Sequence, residues 1–146
     1  MPVHYETEGL VAVITLDRPE KRNALNPELV DGISNAWHRF VEGPERAALI
    51  RSVGDDFSVG ADIDDTPADL WRIVPGLEVE IHKPVVTAVQ GWVVGGGFLL
   101  AQMADICIAS ESARLLYPEA KIGLTGGVIA SLAARIPHKV AMEFML

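Results

Sequence analysis

The stretch PVVTAVQGWVVGGGFLLAQMA, residues 84–104, constrains the fold more than any other part of the chain. A β-branched run, Val85 to Val89, leads to Gly95, Gly96 and Gly97 and then to GFLLAQMA, apolar at nearly every position. A short run that is apolar on every side reads as a buried helix, and the run before it as a buried strand. The alternation recurs along the chain. LVAVITLDRP reads as a strand closed by Asp17-Arg18-Pro19, and AALIRSV and ICIAS read as two more. NPELVDGISNAWHRFV reads as a helix capped by Asn26, with Pro27 in its first turn and Leu29, Ile33, Trp37 and Phe40 on one face. Gly32 costs that helix roughly 1 kcal/mol relative to Ala, which marks a close contact. Residues 67–81 are weakly helical and broken at Pro75-Gly76, while GGVIASLAARI and HKVAMEFML read as helices. Strands alternating with helices predict an α/β fold with parallel strands.

Composition bounds the function. At 146 residues, 49% apolar and 22% charged, the chain is long enough for one domain, 1–146, with a real core. A net charge of −8 argues against a nucleic-acid partner, and the one basic cluster, Lys21-Arg22, suffices for one or two phosphates. Cys107 stands alone, and the four histidines lack metal-ligand spacing. The start, MPVHYETEGLV, has acids where a secretory signal is basic. The longest apolar stretch, Val93 to Ala101, is about half a membrane span. The expectation is a soluble, cytoplasmic protein with no membrane contact. The chain ends at Met145-Leu146 inside an apolar helical pattern, and the expectation is a truncated C-terminal helical part.

Familiar sites are absent from the pattern. There is no phosphate loop and no complete G-x-G-x-x-G. DFSVG has half of a nucleophile elbow, with Asp56 where the first glycine is needed. ADIDDTPAD lacks calcium-loop order and reads as a solvated acidic loop. Two features remain. The glycines before the helix either permit tight packing or bare N–H donors suited to an oxyanion formed during reaction. Glu119, after Pro118 and before Gly123, Gly126 and Gly127, is either a general base or an ordinary loop residue.

Together, DRPEKRNALN (17–26), FSVGADI (57–63), KPVVTAVQGWVVGGGFLLAQMADICIAS (83–110) and YPEAKIGL (117–124) resemble, in order, segments of the crotonase (enoyl-CoA hydratase/isomerase) superfamily. The resemblance implies a spiral of repeated ββα units, acyl-CoA substrates and a homotrimer or dimer of trimers. It implies that the backbone N–H groups of Ala61 and Gly96 hold the thioester oxygen and that Glu119 is catalytic. Lys21, Arg22, Ala24, Leu25, Val59, Asp62, Ile63 and Leu99 are then the expected coenzyme A and substrate contacts. No metal or redox cofactor is implied, because coenzyme A is part of the substrate.

Two departures bear on the reaction. Family hydratases carry a glutamate two residues after the third glycine and a second one twenty residues later; here the positions hold Leu99 and Glu119. The stretch after Gly123 reads LTGGVIA in place of Pro-Gly-x-Gly-Gly. Hydration uses one carboxylate to activate water and another to handle the α-proton. Leu99 removes one of the pair and dries the pocket, which disfavours an ordered water and raises the pKa of Glu119. A Δ3-to-Δ2 enoyl-CoA isomerase with a single glutamate is the leading expectation. Alternatives are a hydratase or dehydratase whose second polar group lies elsewhere (Asp62, Asp64, Asp65 and Asp69 are nearby in sequence), other thioester chemistry such as hydrolysis or decarboxylation, and a non-catalytic acyl-CoA binder.

Overall fold

Each turn of the chain lays one more parallel strand beside the last. In the computed structural model, which describes residues 2–123 and 127–146, β1 (Val3–Glu8) and β2 (Val11–Leu16) form an antiparallel hairpin across Gly9. From β2 the sheet grows in one direction and in parallel, through β3 (Ala47–Ser52), β4 (Val85–Val89) and β6 (Ile106–Ala109). This bears out the α/β expectation with parallel strands. Two three-residue strands, β5 (Trp92–Val94) and β7 (Arg114–Leu116), pair in parallel as a second layer. Isolated parallel bridges extend that layer, Ser58 to Val93 and Ala61 to Leu25.

Helix α1 (Pro27–Glu42) covers the first sheet. The Asn26 side chain accepts a hydrogen bond from the Leu29 N–H at 3.1 Å, and Leu29, Ile33, Trp37 and Phe40 are buried, as their spacing predicts. A Cβ at Gly32 would come within 2.7 Å of Val3, so the glycine marks the close crossing of α1 over β1. Helix α2 (Gly96–Met103) is buried on nearly every side. Helix α3 is His138–Met145.

Several elements differ from the sequence reading. Strand β1 was hidden by its half-polar VHYETE pattern, and β5 and β7 are too short to show a period. The weak helical pattern of 67–81 yields only a 3-10 turn at Leu70–Ile73. The helix expected over 126–136 is a 3-10 helix, Gly127–Ala134. Gly126 and the Leu124-Thr125 part of LTGGVIA lie outside the described residues. Among the described residues, no helix is long and apolar enough to cross a membrane.

Candidate active site

Three segments of the second layer end side by side. Ser58 is level with Val93 in one bridge, and Val93 with Leu115 in the β5–β7 ladder. Counting on three residues from Ser58 and Val93 reaches Ala61 and Gly96. The carboxyl ends of parallel strands, where the following helices begin with unpaired N–H groups, are the usual ligand side of such a layer.

The first donor is set by a rigid loop. Leu25 N–H donates to the Gly60 carbonyl at 2.8 Å, and Asp62 N–H to the Leu25 carbonyl at 2.9 Å. The 60–61 peptide is trans, so with its carbonyl turned toward Leu25 the Ala61 N–H points the opposite way. Gly60 has φ +90°, and a Cβ there would meet the Val94 carbonyl at 3.1 Å. Only glycine combines that backbone shape with so close an approach.

The second donor opens α2. Gly96 is the first helical residue, so its N–H has no partner within the helix. Gly95 before it has φ +52° and ψ −114°, a conformation open to glycine alone, and donates to the Leu116 carbonyl at 3.0 Å. Gly97 lies against Ser58, where a Cβ would sit 2.7 Å from the serine Cβ. The glycines allow tight packing, and they stand at the N-terminus of α2.

Glu119 reaches the same turn. It lies three residues beyond β7 in a 3-10 helix, Pro118–Ile122, and its Oε1 occupies the space where a Gly95 Cβ would be. Its Oε2 is buried and accepts no hydrogen bond among the described residues. Burial pushes its pKa above the ordinary value, with its own backbone N–H pulling the other way. Leu99 is one turn along α2 from Gly95 and 8% exposed. The arrangement is a carboxyl group held against the glycine turn that opens α2, in an apolar setting.

That geometry can be set beside known proteins. A sequence model described as Enoyl-CoA hydratase/isomerase matches residues 6–146. The chain belongs to the enoyl-CoA hydratase/isomerase family. Among curated relatives it is 32% identical to the (E)-benzylidenesuccinyl-CoA hydratase of Thauera aromatica, over 100% of this chain and 62% of that one. It is 33% identical to the carnitinyl-CoA dehydratase of Proteus mirabilis, over 99% of this chain and 60% of that one. A crystal structure of a probable enoyl-CoA hydratase/isomerase from Mycobacterium abscessus superposes with a TM-score of 0.89 at 31% identity, covering 99% of this chain and 60% of that one. The chain thus spans about three-fifths of the length of these relatives. The family's crotonase-like spiral is the fold described above.

The other residues expected in this enoyl-CoA hydratase/isomerase site divide into two groups. Lys21, Ile63 and Ala61 are exposed, Ile63 at 91%, and Val59 is half-buried. Arg22 is exposed, but its Nε donates to Asp56 Oδ2 at 2.6 Å. Burial alone would raise the Asp56 pKa; hydrogen bonds from Arg22 and the Trp92 N–H outweigh it and lower the value. Three more are buried. Leu25 is fully buried, with its side chain under Gly96, and Ala24 is buried with its carbonyl bonded to Arg18 at 2.9 Å. The Asp62 carboxylate faces inward and pairs with Arg18. The acidic loop is largely exposed, as at Asp64 and Asp65, and carries ties besides: Asp62 and Asp69 pair with arginines, and Asp65 accepts from Asn26 at 3.4 Å.

Sequence reasoning missed two residues that hold the site together. Ser58 Oγ donates to the Asn23 carbonyl at 2.8 Å and accepts from the Gly60 N–H at 3.2 Å. Arg18 joins the 17–26 loop to Asp62. A small polar residue amid FSVG was the only local signal for the first, and none existed for the second. An apolar cavity of about 600 Å3 between α2, β6 and α3 is lined by Phe98, Ala101, Leu132, Val140 and Phe144 and includes none of the expected site residues. Among the described residues, no three His, Cys, Asp or Glu side chains are grouped to hold a metal.

Proposed function

We propose that the site carries an acyl-CoA thioester and moves its double bond from the Δ3 to the Δ2 position. The observation that supports this is Glu119: a half-buried carboxyl with a raised pKa at the Gly95 turn, one helical turn from Leu99 where a second carboxylate would stand. No charged neighbour among the described residues contributes to that shift. Its cause is loss of water, which also disfavours the attacking water that hydration requires.

The reaction then needs one group acting twice. Ionised Glu119 takes a proton from C2, and the C–H electron pair delocalises into the thioester, giving an enolate oxygen. The N–H groups of Ala61 and Gly96 stabilise that oxygen as its charge grows, with the α2 dipole adding to the field. Electrons return through C2=C3, and C4 takes the proton back from Glu119. Atoms balance without water, metal or redox cofactor. Lys21 and Arg22 supply the positive charge for coenzyme A phosphates. On this reading the protein works as a homotrimer or dimer of trimers, in the cytoplasm, with no nucleic-acid or membrane partner.

Hydration or dehydration is the second reading, favoured by the 32% identical relative named a hydratase and the 33% identical one named a dehydratase. Mass spectrometry after incubation with a trans-3-enoyl-CoA and, separately, a trans-2-enoyl-CoA separates the two. A shifted double bond with no gain in mass, abolished by Glu119→Gln, supports isomerisation. Gain of one water by the 2-enoyl ester overturns it. A non-catalytic binder would turn over neither ester and keep its affinity in the Gln variant.

A further inference from the structure

We infer that the Arg18–Asp62 pair is a positioning device that aims the Ala61 N–H, an inference that rests on the oxyanion role proposed above. Ala61 lies between two hydrogen bonds that run to the same residue, Leu25 N–H to the Gly60 carbonyl and Asp62 N–H to the Leu25 carbonyl. Its own N–H is aimed by those two peptide planes, since a trans peptide turns its N–H opposite to its carbonyl. Before Ala61 the two chain segments are also joined by the Val59 N–H to the Arg22 carbonyl at 3.2 Å and by Ser58 Oγ to the Asn23 carbonyl at 2.8 Å; beyond Ala61 the side-chain tie is Arg18.

Arg18 does the pinning from one nitrogen. Its Nη1 donates to the Ala24 carbonyl at 2.9 Å on one side of the bridge and to Asp62 Oδ2 at 2.6 Å on the other. Asp62 is fixed in turn: its Oδ1 accepts from the Asp64 N–H at 3.0 Å, and its carbonyl accepts from Thr66 Oγ1 at 2.8 Å. Arg18 is held at its own backbone, where its N–H donates to Asn23 Oδ1 at 2.8 Å. The side chains of Arg18 and Asp62 are 18% and 7% exposed, so the pair is shielded from competing water. A planar guanidinium offers two donors in a fixed direction, which a lysine ammonium does not. The pair touches neither Glu119 nor the reacting atoms, so its influence passes through the direction of one donor. A donor displaced by about 1 Å can cost roughly a hundredfold in rate.

The test reads polarisation directly. The probe is a para-dimethylamino cinnamoyl-CoA, whose absorption moves to longer wavelength when its thioester carbonyl is polarised. The wild-type chain is expected to bind it with a red shift. Arg18→Ala is expected to bind within about threefold of the wild-type Kd and lose most of that shift, while Arg18→Lys recovers part of it. With a substrate that turns over, Arg18→Ala should lower kcat about ten- to a hundredfold and leave KM within about threefold. A full red shift in Arg18→Ala overturns the inference. No red shift in the wild type overturns the oxyanion reading instead. If Arg18→Ala does not fold, Arg18→Lys and Asp62→Ser decide: a wild-type shift in both refutes positioning, and a reduced shift in a normally melting variant supports it.

Discussion

Asn23 offers the sharpest energetic test of how the 17–26 loop is held. Its side chain is fully buried and makes three hydrogen bonds: Oδ1 accepts from the Arg18 N–H at 2.8 Å, and Nδ2 donates to the Val53 and Asp56 carbonyls, both at 2.9 Å. Its φ is +54°, in the left-handed region that Asn tolerates better than Ala. Asn23→Ala removes all three bonds, worth about 1 kcal/mol each, and adds about 1 kcal/mol of backbone strain. The sum is about 4 kcal/mol. Asn23→Gly loses the same bonds without the strain, so it should lose about 3 kcal/mol. With a urea slope of about 2 kcal/mol/M, the unfolding midpoints fall by about 2 M and about 1.5 M respectively. Urea unfolding followed by far-UV circular dichroism measures both. A loss under 1 kcal/mol for Asn23→Ala, or a Gly variant weaker than the Ala one, would refute the reasoning.

Three further variants test the site and a turn outside it. The raised pKa of Glu119 means that its contribution to stability is full below the unfolded value, ordinarily 4.5, and is lost as pH rises through the folded value. Glu119→Gln should therefore melt above the wild type at pH 7, with the gap closing as pH falls below about 4.5, in calorimetric scans across pH. Gly97→Ala forces a Cβ to within 2.7 Å of Ser58 Cβ and should cost about 1–3 kcal/mol, whereas Gly9→Ala, with open space but φ +61°, should cost only about 1 kcal/mol in the same denaturation assay.

Much of the fold was legible because it depends on local patterns. The Asn26 cap, the buried face of α1 and the strand–glycine–helix unit at 84–104 each follow from spacing within a dozen residues, and each stands where that spacing placed it. Gly32 was legible for the same reason: a glycine inside a helix is costly enough to need a cause, and the cause is Val3. Strands β5 and β7 were not, since three residues carry no measurable period and their partners lie about twenty residues apart. The arginine partner of Asp62 in the acidic loop was not legible, because Arg18 is 44 residues away.

By itself, then, the sequence determined strands β2, β3, β4 and β6, helix α1 and the bare glycine turn before α2, and that Glu119 stands without a glutamate at position 99. Those properties are set by side-chain shape and by backbone freedom at single positions. Only the tertiary structure decided that Ser58, Val93 and Leu115 lie level, so that Ala61, Gly96 and Glu119 end on one side of the layer. Only it decided that Asp62 pairs with Arg18. Both facts depend on which distant segments pair and in what register. Register is fixed by the packing of the whole core, and no local period encodes it.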